Sequence, residues 1–369
     1  MPTWYGVELK GNFEDNSGMF LNPESNTPTN GLYNVGVSLS LARGLLINQR
    51  MAALKQAKLY QKQAQIDRQL FVNKIIYNAS IAYFNWLNTY RKKQVYEDFL
   101  ANAELRYKNI KRSYELGENP AIDTTEARII FNDRKLNLEK VNLNYVKASL
   151  ELSNYLWVNN VPIELTNAIF PDTQITTYVD EALQLTNHKI DSIQFNHPKL
   201  NALNFKLESL EVERRLKRNN LLPKVDLQYN FLSQQNQVNS FNLEDYKTSV
   251  TVSFPLFLRK ERANLKLTTY QLKAIDYEQK ITALALKNQL NAVQQEIIAY
   301  ENQIGIANNI VLDYAALLKG EERKFETGES SLFLINTREA KLIENKIKAI
   351  DLENSLLNSK GKLFNALGL

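Results

Sequence analysis

The sequence predicts a mainly α-helical chain with a β portion, in which strand hairpins feed very long coiled-coil helices and the whole arrangement is used twice. Three observations carry that reading. First, Tyr114-Glu115-Leu116-Gly117-Glu118 is echoed by Phe325-Glu326-Thr327-Gly328-Glu329, and flanking segments echo at a similar offset: Val37-Ser38-Leu39-Ser40-Leu41 with Val252-Ser253-Phe254-Pro255-Leu256, Glu126-Ala127 with Glu339-Ala340, and Leu152-Ser153-Asn154-Tyr155-Leu156 with Leu363-Phe364-Asn365-Ala366-Leu367. A repeat this long is a duplicated half-protein rather than a solenoid unit. Second, four stretches alternate apolar and polar residues, the mark of a strand with two unlike faces. Third, apolar residues recur every seventh position through segments almost free of proline, the pattern of helices that pack as coiled coils.

In chain order, the first repeat spans 1–156. Its hairpin (2–41) holds two alternating runs, Tyr5, Val7, Leu9 and Phe13, then Tyr33, Val35, Val37, Leu39 and Leu41, joined by a polar linker at 14–30. A long helix over 42–116 carries Val72, Ala79, Trp86, Lys93, Leu100, Tyr107 and Tyr114 at seven-residue spacing, Lys93 being the one exception. A turn at 117–121 follows, because Gly tolerates the left-handed conformation that ends helices, and Lys111 and Arg112 suit the end of a helix dipole. The return helix over 122–156 opens near Pro120 and Asp123 and threads Ile122, Ile129, Leu136, Leu143 and Leu150 on to Trp157. An inter-repeat segment occupies 157–197.

The second repeat (198–369) begins with a helix at 198–221. A hairpin at 223–258 follows, with Val225, Leu227, Tyr229 and Phe231, a linker at 232–245, then Val250, Val252, Phe254 and Leu256. A helix over 259–327 carries Ala283, Leu290, Ile297, Ile304, Val311, Leu318 and Phe325, again with cations (Arg323, Lys324) in its last turn. After a turn at 328–332, a helix over 333–367 carries Ile335, Leu342, Ala349, Leu356 and Leu363.

Composition narrows the function. There is no cysteine, hence no thiol chemistry and no cysteine-held metal. The two histidines, His188 and His197, read as loop or helix-start residues without metal or acid–base partners. The 45 basic and 40 acidic residues are interleaved, which argues against nucleic acid as a partner. No phosphate loop, HExxH or Ser-His-Asp arrangement is present, and carboxylates such as Glu344 sit at ion-pair spacing from lysines such as Lys348. No enzymatic activity, cofactor or metal is expected. No apolar run reaches the roughly 18 residues of a membrane helix. Each alternating run does match a membrane-crossing strand of about ten residues. If the strands cross a bilayer, an open sheet has unpaired edges that lipid cannot satisfy. Four strands fall short of the smallest barrels, which have about eight, so several chains must pool them. Trp4, Tyr5, Tyr33, Tyr229 and Tyr246, placed near strand ends, suit the membrane interfaces. The soluble alternative is a half-buried sheet capping a helical rod.

The order of parts resembles the TolC family of outer-membrane efflux channels. The strand-to-helix junction Val252-Ser253-Phe254-Pro255-Leu256-Phe257 is similar to that family. So are the turn from Phe325 to Leu332 and the run Glu181-Ala182-Leu183-Gln184-Leu185, later His197-Pro198-Lys199-Leu200 and Leu221-Leu222-Pro223. The resemblance implies a homotrimer with a 12-strand outer-membrane β-barrel and a periplasmic α-helical barrel. It also implies an equatorial region from 157–197, contact with outer-membrane lipid, and docking onto a periplasmic adaptor (membrane fusion protein) and an inner-membrane pump. Such a trimer is a passive duct of a tripartite efflux or type I secretion system, exporting small molecules, drugs, metal ions or proteins.

The implied tip and docking residues are Gly117, Glu118, Asp123, Gly328, Glu329, Ser330 and Asn336. The stretch Leu332-Phe333-Leu334-Ile335-Asn336 lacks the acidic residues that favour cations in some members. Asp123 is therefore either a constriction charge or a helix-start residue, and Glu118 and Glu329 either opening charges or solvated turn charges. Pro2 stands where the second repeat has Pro223, with no counterpart of helix 198–221 and no signal peptide before it, so the sequence is expected to begin late. A periplasmic coiled-coil adaptor or scaffold is the alternative function.

Overall fold

The computed structural model describes residues 7–165, 168–185, 197–234, 242–254 and 256–368. Pro2, Trp4, Tyr5, His188 and Pro255, and the expectations attached to them, lie outside these residues. The elements in order are β1 (Val7–Glu14), β2 (Leu32–Ser40), α1 (Gln49–Glu115), α2 (Ala121–Ser153), β3 (Trp157–Val158), β4 (Val161–Pro162), α3 (Ile175–Ala182), α4 (Pro198–Asn219), β5 (Lys224–Ser233), β6 (Tyr246–Ser253), α5 (Arg259–Glu326) and α6 (Leu332–Leu367), with a short 3-10 turn at Pro23–Ser25. At 67 and 68 residues, α1 and α5 are each about 100 Å long at 1.5 Å per residue. The chain forms two compact units, Met1–Arg68 with Pro198–Thr282, and Gln69–His197 with Ala283–Leu369.

The first unit is built on one antiparallel sheet in the order β1-β2-β5-β6. Its register lines like residues up across all four strands. One row reads Val7, Leu39, Leu227 and Val250, and the next reads Leu9, Val37, Tyr229 and Thr248; Gly11, Val35, Phe231 and Tyr246 form a third. The rows between them are polar: Glu8, Ser38, Gln228 and Ser249, then Lys10, Gly36, Asn230 and Lys247. Strand alternation thus becomes a sheet with one apolar and one polar face. Rings lock the apolar face, with Phe13 at 4.5 Å from Tyr33 and Tyr229 stacked at 5.4 Å on Tyr246. That face is not covered within the chain, since Leu9, Val35, Val250 and Val252 all stay exposed. Tyr33 and Tyr246 lie at strand ends as expected. Tyr229 does not: it sits in the middle of β5, opposite Val37 and Thr248.

Helix α1 starts at Gln49, not at residue 42. The Leu41 and Arg43 amides donate to the carbonyls of Val225 and Pro223 at 2.8 and 3.2 Å, so the chain there still follows the neighbouring hairpin. Asn48 then caps the helix, its Oδ1 accepting the Met51 amide at 2.8 Å. Against this start packs α4, with Leu216 and Val212 on Ile47 and Ala52 and the Asn219 side chain donating to the Ile47 carbonyl at 2.8 Å.

The second unit is helical. Phe99 of α1 packs with Leu318 of α5 and with Ile335, Leu342 and Ile343 of α6. Ala82 and Trp86 of α1 meet Tyr145, Ala148 and Leu152 of α2. Phe84 and Leu87 meet Val179 and Leu183 around α3 and Leu357 and Phe364 of α6. The inter-repeat segment opens with the hairpin β3–β4, whose Asn159 and Asn160 both take positive φ (53° and 63°), the signature of a tight primed turn. His197, just before α4, is buried with Nε2 at 3.1 Å from the Ala366 carbonyl. Seven-residue threads supply this core through Trp86, Leu290, Leu318, Ile335, Leu342 and Ala349. The thread of α2 behaves differently: Ile122, Ile129, Leu136, Leu143, Leu150 and the following Trp157 are all 54–69% exposed.

Candidate functional site

The two echoed turns are the same object. In the first, the Gly117 amide donates to the Tyr114 carbonyl (3.0 Å) and the Glu118 amide to the Ser113 carbonyl (2.9 Å). In the second, Gly328 donates to Phe325 (3.0 Å) and Glu329 to Lys324 (2.8 Å). This paired bonding is the Schellman ending of a helix, and it needs a left-handed residue at the glycine. Gly117 and Gly328 supply it at φ 81° and 78°. The restarts differ. Ser331 caps α6 with its side chain accepting the Leu334 amide, whereas Pro120 leads into α2 with no side-chain cap. Leu332, just beyond the second turn, is buried against Ile110 of α1 and Ala127 of α2, so the start of α6 packs on the helices that flank the first turn.

Behind the turns lies a joint of charges that draws on four helices. Glu339 of α6 is 1% exposed. Its Oε2 accepts Arg106 of α1 at 2.7 Å, and its Oε1 lies 3.5 Å from Arg134 Nε of α2. That second contact is too poorly aligned to be a hydrogen bond. Arg106 also donates to Asn336 Oδ1 (3.3 Å) and lies 3.9 Å from Glu322 of α5, while Asn336 Nδ2 donates to Glu126 of α2 at 2.9 Å. Nearer the turn, the Ser330 hydroxyl donates to Glu321 at 2.6 Å. A buried carboxylate between two guanidiniums is costly to unpair, so this joint ties the helices to one arrangement.

Of the residues expected at the tip, Gly117, Glu118, Gly328 and Glu329 are exposed on the turns, and Asp123 is half-buried in the first turn of α2. Asn336 is buried in the joint, and Ser330 is tied to α5. Sequence pattern singles out neither Arg106 nor Arg134, and shows Glu339 only as part of an echo. The available signal was Glu339 itself, a charge on the apolar stripe Ile335, Leu342 and Ile343. Elsewhere in this unit, Asp172 accepts from the Tyr178 hydroxyl and the Gln174 amide (2.8 Å). These bonds hold its carboxyl below the usual range and push the Tyr178 phenol up to about 12. Among the described residues no group of three His, Cys, Asp or Glu is placed to hold a metal ion, and no helix is long and apolar enough to cross a membrane.

Residues 190–369 match the family model of the outer membrane efflux protein. No curated protein matches the sequence. Solved structures are similar over nearly the whole chain. The CmeC outer membrane channel of Campylobacter jejuni has a TM-score of 0.72 at 14% identity, covering 98% of this chain and 76% of its own. VceC of Vibrio cholerae gives 0.72 at 12% identity, covering 98% and 86%. The open state of the Neisseria gonorrhoeae MtrE outer membrane channel gives 0.71 at 14%, covering 100% and 80%. At such identities the likeness is one of fold.

Proposed function

We propose, because residues 190–369 match the family model of the outer membrane efflux protein, that this chain is the outer-membrane exit duct of an efflux or secretion assembly. Its sheet sits in the bilayer and its helices in the periplasm. The observation that carries this reading is the sheet: an apolar face left exposed across four strands, a polar face behind it, and, among the described residues, β1 and β6 as its two edge strands. Water penalises the first feature and lipid penalises the last, and closure with other copies in a membrane resolves both. Three copies give a twelve-stranded barrel, above the minimum of about eight.

The helices support the same assembly. The exposed thread of α2 needs a partner helix. A second exposed line on α5, through Tyr270, Tyr277, Leu284, Ile298 and Leu312, falls at spacings of seven and fourteen residues. Two unlike sticky faces on one chain make head-to-tail contacts, which close into a ring when the rotation between copies completes a circle. The duct is passive. The paired turns at Gly117 and Gly328 form its periplasmic mouth and the docking surface for an adaptor that links it to an inner-membrane pump. Glu118, Glu329 and Asp123 supply the charge at that mouth, while Ser330 and Asn336 hold its helices. Cargo includes small molecules, drugs, metal ions or proteins. A periplasmic scaffold would leave the apolar sheet face unexplained.

The test is biochemical. The protein should fractionate with outer membranes, require detergent for extraction, migrate as a heat-sensitive trimer and conduct ions in planar bilayers. A soluble monomer without conductance would overturn the reading.

A further inference from the structure

Where β2 runs into α1 and α4 runs into β5, a cavity of about 400 Å³ opens between the two helices. Its walls are of two kinds. Leu46, Ile47 and Leu222 give an apolar side, with Leu46 and Leu222 exposed. Lys55, Arg215 and Arg218 give a cationic side, and among the described residues no carboxylate lines the space. Arg215 and Arg218 stand three residues apart on one face of α4, with Lys55 on the facing turn of α1.

The contrast with their neighbours is informative. Arg214 pairs with Glu211 at 2.7 Å and Lys217 with Glu213 at 3.4 Å. Lys55, Arg215 and Arg218 have no ion-pair partner among the described residues. The floor is fixed by the bond from the Asn219 side chain to the Ile47 carbonyl, at 2.8 Å. Helix α4 therefore neutralises Arg214 and Lys217, while its Arg215 and Arg218, with Lys55 of α1, stay without an ion pair among the described residues around one cavity beside apolar side chains. Such a site suits an amphiphile with an anionic head.

We propose that this cavity binds the anionic headgroup of a phospholipid in the periplasmic leaflet of the outer membrane. Lys55, Arg215 and Arg218 hold the phosphate, and Leu46, Ile47 and Leu222 line the start of the acyl chains. The proposal rests on the outer-membrane reading above, which puts the junction of strands and helices at headgroup height. Lysine and arginine stems there lie along apolar surface while their heads meet phosphate.

The test uses protein purified from outer membranes in a neutral detergent. Native mass spectrometry follows the binding of phosphatidylglycerol, phosphatidylcholine and inorganic phosphate. Phosphatidylglycerol should bind in preference to phosphatidylcholine. The triple variant Lys55→Gln, Arg215→Gln, Arg218→Gln should weaken it about 100-fold, since each cation near an anionic lipid contributes a factor of about five. The double variant Arg214→Gln, Lys217→Gln, on the same helix but outside the cavity, should bind as the native protein does. The double variant Arg215→Lys, Arg218→Lys should retain most of the affinity, which keeps the test decisive if the triple variant fails to assemble.

Equal phosphatidylglycerol binding by the native and triple-variant proteins overturns the proposal. So does a native protein that does not discriminate between the two lipids, or full competition by inorganic phosphate at equal concentration, which marks a free-anion site. Recovery of the native protein in the soluble fraction overturns the duct reading instead, independently of these lipid results.

Discussion

Replacing Gly328 tests the paired-turn reading most directly. Its φ of 78° lies in the left-handed region, and a Cβ added there would meet no atom within 4 Å. Steric conflict with the rest of the fold therefore contributes nothing, and the penalty is that of the backbone alone. For an ordinary L-residue that penalty is about 1–2 kcal/mol. A β-branched side chain lies at or above the upper end, and Asn, which tolerates this region, lies below it. The turn is closed by the Gly328 and Glu329 amides. Opening it should expose both to exchange. With about 2 kcal/mol lost, amide exchange at Glu329 in Gly328→Val should accelerate by about thirtyfold. Gly328→Asn should accelerate it only a few-fold, and Gly328→Ala should fall between. The Gly117 series should reproduce the same order at Glu118, because its φ of 81° and its open surroundings match. Hydrogen exchange with mass or NMR detection on the detergent-solubilised protein reads both turns. If the Val variant exchanges within a factor of about two of the native protein, or if Asn and Val are indistinguishable, left-handed strain is not what the glycines relieve.

Glu339→Gln should cost about 3–5 kcal/mol, read as a lower thermal midpoint of the trimer, because the buried Arg134 and the half-buried Arg106 lose a counter-charge that is itself buried. The double variant Glu339→Leu, Arg134→Leu should recover part of that loss, and a cycle showing simple additivity would remove the joint from the account. Val250→Arg, on the exposed apolar face, should reduce membrane insertion by about 2–4 kcal/mol, whereas Ser249→Arg on the opposite face should be tolerated. Equal effects at the two positions would mean that the faces are misassigned. Leu143→Glu places a charge on the uncovered thread of α2 and should shift size-exclusion profiles from trimer towards monomer without loss of helical signal. Asp172, held low chiefly by the Tyr178 hydroxyl, contributes stability that is present above the ordinary carboxylate value of 3.8 and fades as pH falls through its lower folded value. Tyr178, pushed up to about 12, contributes stability that is present below 10 and fades as pH rises through 12. Exchange across α3 should therefore be slow between those limits, and Tyr178→Phe should move its acid loosening to higher pH; an unmoved acid limb would refute the pairing.

Much of this architecture is written in local pattern. Period two along Tyr33–Leu41 and Val225–Phe231, and period seven along Leu290–Phe325, are properties of neighbouring residues, so strands, helices and the two glycine stops fall close to their expected places. What is set by distant partners was less legible. The late start of α1 depends on backbone bonds from Leu41 and Arg43 to residues about 180 positions later in the chain, which no local window contains. Periodicity identifies an apolar stripe but not what covers it, so the α2 thread and the Ile335 thread of α6 look alike in sequence although one is exposed and the other buried or half-buried. The joint was visible only in part. Glu126 and Glu339 stand out in the sequence as echoes, but Arg106 and Arg134 become partners of Glu339, and Asn336 of Glu126, only through packing among helices.

The two compact units do not coincide with the two repeats. Pairing of β2 with β5 joins a strand from each, Ile47 and Ala52 pack on Leu216, and Phe99 packs on Leu318. Neither copy therefore owns a complete core. Cutting the chain between His197 and Pro198 should yield two fragments that do not fold separately but reconstitute when expressed together, each serving as the other's template. A duplication wired in this way is hard to undo: losing either copy removes half of every unit, so the halves are free to diverge in sequence but not to part.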